Sequence, residues 1–134
     1  MLMIYRIVTG FTALASFGIG GLILYSGRKG ILHRIWFYLC VAIGGWNLGY
    51  LLTMFPAFPK ENIVFFSRVS HASGVIIPAL FLHFVLQLLG LLPSRKLLLF
   101  GAYVTCGIAS LLSLTNAIVT DLAPKMLLPF YPIG

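Results

Sequence analysis

Acidic side chains are almost missing from this chain: Glu61 and Asp121 are the only two in 134 residues. Charge of either sign is scarce, 8% of residues against about 25% in an average soluble domain. So few charges cannot clothe a water-facing surface, and a single soluble domain is excluded although the length would allow one. Disorder is excluded as well, because 60% of the residues are apolar and disordered chains are poor in such residues. With no carboxylate inside an apolar run, there is no paired-carboxylate acid–base site and no acid in reach for a hydrolase triad. There is also no buried carboxylate for the proton exchange of a small multidrug transporter. Cysteine is limited to Cys40 and Cys106. Both lie inside apolar runs, where they read as packing residues rather than a disulfide or a metal pair. They cannot supply the outer-loop cysteine pairs that a four-helix quinone reductase needs. No P-loop and no CxxC is present. His71 and His83 fall on one stretch and His33 in a loop, which does not suit a two-haem cytochrome. No catalytic residue, metal site or cofactor is expected.

What the chain has is length in its apolar runs, with a mean hydropathy of +1.07. A run of about 18 or more apolar residues reads as a membrane span. Four are found, at about residues 7–26, 35–55, 66–92 and 97–119, the third run beginning as early as Ile63. No alternation of apolar and polar residues suggests a barrel, so the expected fold is all-α: a polytopic membrane protein of four antiparallel helices joined by short linkers. Residues 122–134 carry Pro124, Pro129 and Pro132 and are not expected to be helical throughout. The first span is too long for a signal-peptide core and is followed by Arg28 and Lys29, so it reads as retained.

The net charge of +7 does not gather on a polar face, so no nucleic-acid partner is expected. It is distributed instead as a topology signal. Arg28, Lys29, Arg34, Arg95 and Lys96 lie on one side, and Arg6, Lys60 and Lys125 on the other with both acids. Five against three places the first and third loops in the cytoplasm and the N-terminus outside.

Polar groups within spans are the place to look for function. These are Asn47 in the second span, Arg68, His71, His83 and Gln87 in the third, and Asn116 in the fourth. The third run spans about 45 Å as a helix, longer than the hydrocarbon core of about 30 Å. Its first turns therefore sit in the outer interface, where Arg68 can snorkel. Arg68, His71, Val75 and Pro78 share one helical face, and His83 and Gln87 form a second stripe. Pro78 between them removes a backbone hydrogen bond and marks a hinge. Gly45 and Gly49 form a GxxxG suited to helix packing, as do Ser16 with Gly20 and Cys106 with Ser110. Trp36, Tyr38 and Tyr103 read as interfacial aromatics of the cytoplasmic side, and Tyr50, Phe55, Phe58 and Phe65 of the outer side.

The stretches Trp46-Asn47-Leu48-Gly49-Tyr50-Leu51-Leu52, Phe66-Ser67-Arg68-Val69-Ser70-His71 and Ile77-Pro78-Ala79-Leu80-Phe81-Leu82-His83-Phe84 resemble the N-terminal seven-helix sensor region of bacterial membrane histidine kinases. Its pattern is an F-x-R-x-x-(H/Y) start followed by P-x-(L/F)-F-x-H-F. The resemblance covers about residues 30–105 and touches Arg68, His71, Pro78 and His83. It implies an outside N-terminus, seven helices in the bacterial inner membrane and a cytoplasmic kinase or other output domain. Four helices here imply an incomplete seven-helix region or a small stand-alone relative. The expected role is the sensory input module of a two-component system, non-catalytic by itself. Its expected partners are the bilayer, other transmembrane helices including a second copy as a homodimer, and the output domain. The alternative is a small transporter or channel subunit acting as an oligomer.

Overall fold

A computed structural model of the chain describes residues 2–26, 30–55, 57–115, 121–125 and 128–133. Four helices follow one another: α1 (Leu2–Tyr25), α2 (Ile31–Thr53), α3 (Lys60–Leu88) and α4 (Lys96–Ser113). Each is long and apolar enough to cross a bilayer. The chain is thus a multi-pass membrane protein with the four-helix architecture that its hydropathy predicts.

The ends of the helices differ from those expected. α3 starts at Lys60 rather than in the apolar run, because Glu61 in its first turn suits the positive end of the helix dipole. It stops at Leu88 rather than 92. Gly90, at φ +67, takes the left-handed position after the helix. The Leu91 amide then donates to Leu86 O at 2.9 Å and the Gly90 amide to Gln87 O at 3.2 Å. That pair of bonds is a Schellman stop. α4 ends at Ser113, short of residue 119; Asn116 lies outside the described residues. Beyond it, β1 (Asp121–Lys125) and β2 (Leu128–Ile133) pair antiparallel, with Asp121 opposite Ile133. The ladder is irregular between Ala123 and Lys125, where Pro124 has no amide hydrogen to give it.

α2 is the central helix, with a third of its span buried against 6% for α4. It packs on α1 and α3, while α4 lies against α3. The core is thin: Leu39, Ala42 and Leu80, with Ile43, Ile76, Ile77 and Tyr103 against them. Close backbone approach compensates, as lipid offers no hydrophobic drive between helices. A Cβ on Gly49 would stand 2.9 Å from Phe66 O and from Ser70 Cβ, and one on Gly45 3.1 Å from Ser73 Oγ. On the other face of the seam, Gly20 of α1 faces Cys40. Both cysteines are free.

Polar ties reinforce these contacts. Ser70 Oγ of α3 donates to Trp46 O of α2 at 2.8 Å. Ser110 Oγ of α4 donates to Ala72 O of α3 at 2.9 Å.

Candidate functional site

Three helices bring polar stripes to the same end of the bundle. α1 contributes Tyr5 and Thr9 at i, i+4. α2 contributes Trp46, Asn47, Tyr50 and Thr53, and α3 contributes Ser67, Ser70 and His71. Together with Val8 they line a cavity of about 490 Å³, within the size range of small-molecule sites. A groove of about 390 Å³ adjoins it, lined by Trp46, His71, Gly74, Val75, Ile77 and Pro78. Trp46 and His71 border both spaces.

Thr9, Thr53 and Asn47 are satisfied on their own helices, a common arrangement where water is absent. Thr9 Oγ1 donates to Tyr5 O at 2.6 Å and Thr53 Oγ1 to Tyr50 O at 2.7 Å. Asn47 Nδ2 donates to Ile43 O at 2.9 Å. Ser67 differs. It is only 3% exposed and lines the cavity, with no side-chain bond to its own helix seen among the described residues.

The polar residues singled out from sequence separate into two places. Asn47 and His71 meet in the cavity, and His71 continues with Pro78 into the groove. Arg68 is half-buried and engaged in an interaction, but lines neither space. His83 faces the other way. Its Nδ1 lies 2.9 Å from the Tyr103 hydroxyl, and the two rings meet edge to face at 5.8 Å. Tyr103 therefore makes a contact within the bundle. Gln87, one turn on, is half-buried. Pro78 stands between the cavity and the His83–Tyr103 contact, and α3 continues through it.

The hydroxyls of Thr9, Thr53, Ser67 and Ser70 escaped the sequence reading because each alone is ordinary packing. Their signal is collective: three stripes at i, i+3 or i+4 spacing, all at one membrane depth. Arg6 escaped it too. Its guanidinium donates to Met54 O at the end of α2 and lies 4.9 Å from the Phe55 ring centroid. No group of three or more potential metal ligands is found among the described residues.

Among known families, the model for the N-terminal 7TM region of histidine kinase matches residues 8–129. No curated protein and no solved structure matches.

Proposed function

The chain belongs to the family of the N-terminal 7TM region of histidine kinase, and from that premise we propose that it is the membrane-embedded sensory input module of a two-component kinase. The match across all four spans is the observation that carries this reading. The module contributes binding and conformational change, while phosphoryl chemistry belongs to a cytoplasmic output domain. Its four spans are the first part of a seven-helix region in the bacterial inner membrane, which works as a homodimer.

The signal is a shift between two packings of the bundle, driven by a stimulus that favours one of them. α3 is the element that connects the parts. Its outer third walls the cavity, and its inner third meets α4 through His83 and Tyr103. Pro78 lies between, and an interior proline lacks one backbone hydrogen bond. Bending there costs less than elsewhere, so a change at His71 can be passed to α4.

The test is kinase output from the seven-helix region that contains this chain, at matched membrane abundance. His71→Gln and Pro78→Ala should each shift the output or its response to stimulus. Arg68→Lys should do so as well, since an ammonium cannot reproduce the planar fork of a guanidinium. Wild-type output in all three would remove α3 as the sensing element.

The orientation follows from the five-to-three distribution of basic residues between the two sides, and puts the cavity in the outer half of the membrane. Gly30, Ala57 and Ser94 are exposed in the three linkers. In a background without Cys40 and Cys106, cysteines at positions 30 and 94 should be labelled only from the cytoplasm. A cysteine at position 57 should be labelled from outside. The reverse pattern would invert the topology.

A further inference from the structure

Backbone carbonyls take up part of the donor capacity of the outer cavity, and leave lone pairs on its walls. Thr9, Thr53 and Ser70 have given their hydroxyl protons to backbone carbonyls, and Asn47 has given an amide hydrogen in the same way. What these four side chains still offer is mainly lone pairs, three hydroxyl oxygens and Asn47 Oδ1, with one Asn47 amide hydrogen remaining. Ser67, nearly fully buried in the same wall, can complete the set as donor or acceptor.

Charge narrows the choice of ligand. No Asp or Glu lies in α1 or α2, and in α3 the one acid is Glu61 in its first turn. A cation in the cavity would therefore meet no carboxylate on its walls. Val8, the Trp46 indole and the Tyr50 ring supply apolar wall.

We propose that this cavity binds a neutral amphiphile: a molecule with an apolar body and one or two hydroxyl or amide N–H groups that donate to Asn47, Thr9, Thr53, Ser67 or Ser70. It would enter from the outer leaflet, where both its halves are soluble. This identification of the stimulus rests on the sensory reading given above, but it is tested by binding alone.

The chain has two tryptophans. Trp46 borders the cavity, while Trp36 packs on Phe84, with ring centroids 5.0 Å apart. In a Trp36→Phe background in lipid nanodiscs, Trp46 is the sole indole, and bromine quenches it on contact. The probes are bromodecanol, bromodecane and bromodecyltrimethylammonium, which share one apolar body. Bromodecanol should quench saturably, and bromodecane only in linear proportion to its concentration in the lipid. Ser67→Ala should weaken the saturable binding roughly fivefold, the value of one net hydrogen bond, with helicity unchanged. Val8→Phe, at a position 57% exposed on α1, should fill the cavity from its rim and abolish the saturable component.

Equal, linear quenching by all three probes would overturn the proposal and assign the space to lipid chains. Tighter binding of the ammonium would overturn it in favour of a cation site. Saturable quenching that survives Val8→Phe would place the alcohol elsewhere and overturn it too. A kinase output that responds to variants in α3 without alcohol binding would leave the sensory reading standing and remove only this ligand. Binding without any effect on output would do the opposite.

Discussion

Gly49→Leu should disrupt the bundle more than any other single change in α2. A Cβ at Gly49 lands 2.9 Å from Phe66 O and from Ser70 Cβ, and 3.1 Å from Ser70 Cα. None of these atoms can rotate away, because they are backbone or bonded directly to it. The helices must therefore part, and with them goes the Ser70 hydrogen bond to Trp46 O at 2.8 Å. Gly49→Ala should already cost about 1–3 kcal/mol by overpacking, and leucine more. Gly45, four residues earlier, is a built-in comparison. Its added Cβ meets Ser73 Oγ at 3.1 Å, and a hydroxyl can turn to another rotamer. Gly45→Ala should cost less than about 1 kcal/mol. Thermal unfolding in detergent, followed by helicity, measures both. Equal melting temperatures for the two alanine variants would mean that the α2–α3 seam is not the tight contact.

The same seam shows what a sequence of this kind reveals. GxxxG spacing says that a helix face has no side chains to keep a neighbour away, but Gly45 and Gly49 look identical until Ser70 and Phe66 are placed opposite them. Hydropathy locates the spans well, because crossing a bilayer demands about twenty apolar residues whatever their order. It locates their ends poorly. The apolar run continues to residue 92, while Gly90, the residue that can take a positive φ, closes the helix earlier. Lys60 and Glu61 lie outside the apolar run because they are charged, yet they form the first turn.

The site divides in the same way. Asn47, His71 and Pro78 stand out because polar or helix-breaking residues are costly in lipid. Serine and threonine do not stand out, because each can satisfy its hydroxyl on its own helix. Only when α1, α2 and α3 meet do Thr9, Thr53 and Ser67 enclose one space. His83 and His71 are twelve residues apart on one helix and look like parts of a single polar track. Their angular separation sends one to α4 and the other to α2, so the track is two separate contacts joined by Pro78.

Arg6 is the case that the sequence could not show, since its partners are 48 and 49 positions away. It counts against the charge rule, as a basic residue on the side with fewer of them, and the structure gives it a different task. α2 ends at Met54, whose own carbonyl has no partner within the helix. Met54 is 1% exposed, so water reaches it poorly. The Arg6 guanidinium supplies the missing donor, brings positive charge to the negative end of the helix dipole, and lies over Phe55. It thereby fastens the start of α1 to the end of α2. Arg6→Met should cost about 1–3 kcal/mol, because a charged hydrogen bond and a cation–π contact are lost together. Arg6→Lys should fall between, since a single ammonium can serve the carbonyl or the ring but matches the fork to neither. Loss of topology cannot be the cause of such an effect. Removing Arg6 takes a basic residue from the minority side, so the bias in favour of a cytoplasmic first loop grows. A cysteine at position 57 should still be labelled from outside in the Arg6→Met protein, while its melting temperature drops. An unchanged melting temperature would show that the carbonyl of Met54 is satisfied without Arg6, and that the guanidinium is free to serve the lipid phosphates instead.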